Sequence, residues 1–188
     1  MLIGLTTAAA AQPKPAETRP APPPSNGPTP APAALADRAK ALSGTWSCKG
    51  QSLDRTNKLV DSTATMKIKL DLDGWWLHTS YEAKGKEPFH FEQFVTYDEV
   101  AKKWKSIMAE TGGEWNVGES DGPQNGKLDF AITSHLPGWL AQVMGGKTET
   151  QFRDHEDASD PKAGLKLTGE VSFDGKAWTT VYNMTCKK

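Results

Sequence analysis

Between Thr45 and Cys186 the chain alternates apolar and polar residues in short runs, and this period of two most restricts what it can fold into. The clearest run is Thr63 to Leu72. Met66, Ile68, Leu70 and Leu72 fall on one face, and Lys67, Lys69 and Asp71 fall on the other. Successive side chains of a strand point to opposite sides, so such a run reads as a strand buried on one face. Asp73-Gly74 follows and predicts a two-residue hairpin turn, because both positions favour positive φ. The partner strand returns from Trp75 to Glu82. Further strands are expected at 90–97, 103–109, 114–120, 127–135, 147–155, 166–173 and 177–186, with the first at 45–50. Gly85, Gly112-Gly113, Asn125-Gly126 and Asp174-Gly175 supply turn chemistry between them. About ten strands in one meander result.

Short sequential hairpins favour an up-and-down barrel, since a two-sheet sandwich usually needs crossovers between its sheets. Ahead of the first strand, Leu35, Ala39 and Leu42 recur at helical spacing and Gly44 stands where a helix would end. The predicted class is therefore all-β: an antiparallel up-and-down barrel of about ten strands with a short N-terminal helix. The two cysteines fit that closure. Cys48 lies near the start of the first strand and Cys186 near the end of the last. In an even-numbered meander these strands are antiparallel neighbours, and paired strands bring Cα atoms to within about 5.5 Å, the spacing of a disulfide. In a reducing compartment the pair reads as two buried thiols; in an exported protein it reads as a cross-link.

Residues 1–12 resemble the back half of a secretory signal: Leu-Ile-Gly-Leu, then small residues in an Ala-x-Ala pattern, without the basic opening. Residues 13–33 carry nine of the 13 prolines and no aromatic side chain. Such a stretch buries too little apolar surface to offset its ordering entropy and reads as a disordered, semi-rigid spacer. Residues 34–188 then form a single domain holding all seven tryptophans. Secretion, to the periplasm or beyond, is the expected location. A net charge of −1, from 22 basic and 23 acidic residues, gives no reason to expect nucleic acid as a partner. No run is long and apolar enough to cross a membrane as a helix.

Several segments resemble the lipocalin-like (calycin) proteins, most of all the uncharacterised DUF1579 type. The first is Leu42-Ser43-Gly44-Thr45-Trp46, which opens strand one after an amphipathic turn. The others are Trp75-Trp76-Leu77, then Phe94-Val95-Thr96-Tyr97-Asp98 leading to Lys103-Trp104, and the closing Tyr182-Asn183-Met184-Thr185-Cys186-Lys187. The resemblance covers most of residues 40–188 and implies a barrel that carries a small apolar ligand. Haem-binding nitrobindins also open on Gly-Thr-Trp but ligate iron through a histidine near the last strand. Here no histidine follows His155, so the haem role is not carried over and no cofactor is expected.

The candidate chemistry is sparse. A hairpin near Lys86 sets Glu82 opposite His90, but His78 would lie about 13 Å along the strand, too far to share a metal. His155, within Arg153-Asp154-His155-Glu156-Asp157, reads as part of a charged hairpin tip. Ser134 and His135 are adjacent and so point to opposite strand faces, which is wrong for a nucleophile and its base. No metal site and no catalytic residue is assigned. By alternation, Trp46, Trp75, Trp104, Trp115 and Trp178 share the less polar side of their strands. The ligand-binding set expected at the interior and mouth is therefore Trp75, Tyr81, Phe91, Trp104, Trp115, Trp139 and Trp178. Residues 136–143 break the strand pattern, and Leu136, Trp139, Leu140 and Val143 fit one face of a short helix that would plug or cover a mouth.

Three functions follow. The first is an exported module binding an apolar or amphipathic small molecule. The second is a filled barrel with a structural or interaction role in the cell envelope. The third is an enzyme working inside the barrel, which needs polar residues such as Gln93, Glu119 and Thr150 to converge inward.

Overall fold

The computed structural model describes residues 30–54, 56–84, 88–160 and 162–188. The signal-like segment 1–12 and most of the spacer 13–33 lie outside the described residues. Ten antiparallel strands close into one barrel. They are β1 (Gly44–Leu53), β2 (Leu59–Asp71), β3 (Trp76–Lys84), β4 (Phe89–Asp98), β5 (Lys103–Glu110), β6 (Trp115–Ser120), β7 (Lys127–His135), β8 (Glu149–Asp157), β9 (Leu165–Ser172) and β10 (Thr179–Lys187). Each strand pairs with its neighbours in sequence, and β1 pairs with β10 to complete the ring. Closure leaves no unpaired sheet edge, which is how an all-antiparallel meander avoids edge-to-edge association.

The two ends of the barrel are finished differently. At the end where β1, β3 and the other odd strands begin, α1 (Ala33–Leu42) lies across the opening. Leu35, Ala39 and Leu42 are its buried face, as the helical spacing predicts. Trp46 donates its indole N–H to the Leu42 carbonyl at 2.8 Å, and Lys188 donates to the Ala41 carbonyl at 3.1 Å. Both contacts occupy carbonyls in the last turn of the helix, which have no partner within it. At the opposite end, α2 (Gly138–Val143) interrupts the β7–β8 connection. It buries only Ala141, and Trp139 and Val143 stay 60% and 75% exposed. It is a loosely seated cover, whereas α1 is a plug.

Cys48 and Cys186 are directly opposed in the β1–β10 register and form a disulfide whose two residues are both fully buried. The seam expected from the strand count is therefore cross-linked. The hairpin between β2 and β3 departs from expectation. Asp71 pairs with Trp76, so the connection spans residues 72–75, and Leu72, Asp73 and Gly74 all take positive φ around a 3₁₀ turn. The Asp71 side chain accepts from the Leu72 N–H and fixes the entry to that turn. The apolar face of β2 runs off the barrel here: Met66 and Ile68 are buried, but Leu70 and Leu72 are exposed. His155 is likewise not in a hairpin tip. It lies within β8, between Asp129 of β7 and Glu170 of β9.

Candidate functional site: a cavity with polar ends

Inside the barrel is a cavity of about 1550 Å³, lined from all ten strands and reaching from Arg38 and Leu42 of α1 to Trp139 and Leu140 of α2. Its middle is apolar and aromatic. Tyr81 stacks on Phe91 with ring centroids 4.8 Å apart, and Met66, Ile132, Phe152 and Met184 complete that belt. Each end is polar.

At the plugged end, Arg38 reaches from α1 to form an ion pair with Glu156 of β8, and its guanidinium lies 5.6 Å from the Trp104 ring centroid. Both charged side chains are nearly buried, so each is held by the other. Two residues along β8 and on the same face, Asp154 accepts a hydrogen bond from the Tyr182 hydroxyl at 2.8 Å. Burial, and then the charge of Glu156, push the Asp154 carboxyl upward, while Tyr182 and Arg38 partly offset them. Burial also carries the Tyr182 phenol well above its ordinary value. What surface these two groups retain faces the cavity.

Gly169 makes this contact possible. On β9 it pairs with Asp154 on one side and with Tyr182 on the other, so the tyrosine must cross it to reach the carboxyl. A Cβ at Gly169 would stand 2.3 Å from Tyr182 Cε1 and 2.8 Å from Phe152 Cζ. No side chain fits there, and the bare glycine gives the tyrosine ring its passage.

The covered mouth is the second polar end. Glu110 closes β5 and Glu114 opens the return, joined by the Glu110 N–H to Glu114 carbonyl bond at 3.1 Å. Both carboxyls face the cavity. Burial first and the neighbouring Glu114 second push Glu110 up to about 7. Burial raises Glu114 too, and the Ser134 hydroxyl draws it partly back without reaching good hydrogen-bond geometry. Next along the same face is Asn116, 4% exposed, whose Oδ1 has no hydrogen-bond partner among the described residues. Trp139 of α2 donates its indole N–H to the Gly112 carbonyl at 3.2 Å, directly over this turn.

The expected ligand-binding residues separate into three places. Tyr81, Phe91 and Trp139 line the cavity. Trp75 and Trp104 lie at the plugged end, Trp75 half-buried beside the β2–β3 turn and Trp104 buried under Arg38. Trp115 and Trp178 are on the outer surface. Trp115 is 48% exposed and stacks on His135 at 3.7 Å, and Trp178 lies 3.8 Å beneath the Arg153 guanidinium. A register shift between Thr180 and Tyr182 breaks the alternation along β10, so Trp178 faces outward although even spacing from the buried Cys186 would turn it in. In β6 the alternation is intact but inverted, with Asn116 and Ser120 inward and Trp115 and Val117 outward.

Of the polar residues required by an enzyme reading, Gln93 and Thr150 are buried and line the cavity, with Gln93 donating to Ser106 at 3.0 Å. Glu119 points outward and pairs with Lys105. Glu82 does oppose His90, but the carboxylate held by His90 is Glu92, at 2.8 Å, on the outer face. Among the described residues no group of histidine, cysteine or carboxylate side chains is arranged to hold a metal ion. Sequence reasoning missed Arg38, Glu110, Asn116, Asp154 and Tyr182. For Glu110, Asn116 and Asp154 the signal was polar residues recurring at the inward phase of β5, β6 and β8.

No family model matches the chain, and no curated protein matches it. Among solved structures the barrel is similar to the crystal structure of Rv2717c from M. tuberculosis, with a TM-score of 0.60 at 10% identity, covering 85% of this chain and 99% of that one. At that identity the likeness is one of fold: a closed ten-strand antiparallel barrel with a short N-terminal helix. No helix among the described residues is long and apolar enough to cross a membrane.

Proposed function

We propose that this protein is an exported barrel that binds a small amphipathic molecule in its interior. The observation that carries the reading is the cavity of about 1550 Å³, apolar in its middle and polar at both ends. Pockets for small ligands usually enclose about 300–1000 Å³ of mostly apolar lining with a few placed polar groups, so there is room here for a sizeable guest. The same volume counts against a filled barrel, whose inward side chains would leave no such space. The lipocalin-like resemblance of the DUF1579 type agrees with a carrier role, and the buried disulfide supports an oxidising compartment.

The test is titration with Nile red, a neutral dye whose emission rises in apolar surroundings. Saturable binding is expected, and Met108→Trp, which places a large ring in the cavity wall, should weaken it while circular dichroism stays unchanged. A dye affinity that this substitution leaves unaltered would place binding on the surface and remove the reading. So would the lack of any saturable signal.

A further inference from the structure

The inward faces of β5 and β6 contradict the economy of the rest of the barrel. A strand normally turns its apolar residues to the core, yet Ile107, Trp115 and Val117 face solvent while Glu110, Glu114 and Asn116 face the cavity. Burying such groups is unfavourable unless something hydrogen-bonds them. Local rules broken in this way mark sites whose stability has been traded for function.

The chemistry of the missing partner can be read from the lining. Among the described residues, six carboxyl-bearing ones border the cavity (Asp54, Asp61, Glu110, Glu114, Asp154 and Glu156) against two cationic ones, Arg38 and Lys84. Arg38 is taken by Glu156 at the plugged end, and Asp154 is taken by the Tyr182 hydroxyl. At the mouth, neither Glu110 nor Glu114 has an ion-pair partner among the described residues, although Lys84 stands at the same rim. Asn116 Oδ1 adds a buried acceptor with nothing to accept. A carboxylate ligand would meet like charge here, and a neutral hydroxyl would satisfy one acceptor. An ammonium group carries three N–H donors and a positive charge, which match two carboxylates and one amide oxygen.

Resting on the carrier reading above, we propose that Glu110, Glu114 and Asn116 form the seat for the protonated amine of an amphipathic organic cation. Its apolar body lies along Phe89, Phe91 and Met108, which line the cavity from the mouth inward. Trp139 covers the seat from above, held by its bond to Gly112 and otherwise exposed. The seat takes the charged end, and the aromatic belt takes the chain.

A chain-matched trio tests this with the full protein: decylamine, decanol and decanoate, each below its micelle-forming concentration, titrated by calorimetry at pH 7. Decylamine should bind at least about tenfold more tightly than decanol, and decanoate most weakly, as befits a charge-assisted contact in a sheltered site. Glu114→Gln and Glu110→Gln should each remove about that tenfold for the amine and leave decanol unchanged, which also reports that the variants are folded. Equal binding of all three would overturn the amine seat and leave the carrier reading standing. Preferred binding of decanoate would overturn it in favour of an anion site at Arg38. If none of the three binds and Nile red also fails, both readings fall together.

Discussion

Gly169→Ala tests the part of the interior that depends on one missing side chain. The added Cβ would stand 2.3 Å from Tyr182 Cε1 and 2.6 Å from Cζ, distances at which one of the two must move. Overpacking of this kind costs about 1–3 kcal/mol. Pushing the ring away also breaks the Tyr182 to Asp154 hydrogen bond, whose acceptor is a buried carboxyl. Losing a bond to such a group adds about 1.5–3 kcal/mol. Against this, alanine stiffens the unfolded chain and returns about 0.4–1 kcal/mol. The net expectation is a loss of about 2–5 kcal/mol in urea denaturation followed by tryptophan fluorescence. A double-mutant cycle separates the terms. Tyr182→Phe alone should remove only the hydrogen-bond part, and Gly169→Ala should cost less in that background because the bond is already gone. If Gly169→Ala changes stability by under about 1 kcal/mol, or the two substitutions simply add, the coupling through Gly169 is wrong.

Two further outcomes are expected. Cys48 and Cys186 close a loop of sequence separation 138, for which chain entropy gives a stabilisation of about 5 kcal/mol. Cys48→Ala/Cys186→Ala should therefore unfold at markedly lower urea, and reductant alone should leave the native protein intact because both residues are fully buried. Reduction in minutes without denaturant would contradict that burial. The second outcome concerns pH. Glu110 and Asp154 lie above their ordinary values, so the folded chain keeps protons that the unfolded chain has released, and stability falls as pH rises through about 4.5–7. His155 is also raised and acts in the same direction, its contribution being lost as pH climbs past its folded value. Asp54, Asp71, Glu92 and Asp174 are lowered, and what they contribute is lost as pH falls below about 4. Unfolding free energy should peak near pH 5, and Glu110→Gln should flatten the alkaline side; a peak at pH 8 or above would refute the assignment.

The architecture was open to reading because it depends on local signals repeated many times. Alternation, turn residues and an even strand count predict the closed antiparallel barrel, and the positions of Cys48 and Cys186 predict the seam that the disulfide crosses. Helical spacing at Leu35, Ala39 and Leu42 likewise predicts the buried face of α1. The interior could not be read in the same way. Alternation divides a strand into two faces but does not say which of them points in, and the usual guide is that the apolar face does. That guide works for Tyr81 and Phe91 and fails for Trp115 and Val117, because β6 turns Asn116 and Ser120 to the inside. One shifted residue in β10 sends Trp178 outward, and no residue type near Thr180 announces it. Contacts between distant segments were beyond reach altogether. Arg38 meets Glu156, and Tyr182 meets Asp154 across Gly169, only because closing the ring fixes the register of three strands and seats α1 on their ends. The sequence by itself determined that a barrel closes and where its seam lies. The tertiary structure decided what the barrel encloses, since the character of a cavity depends on which faces of ten strands meet, and the pairing register is the property that sets this.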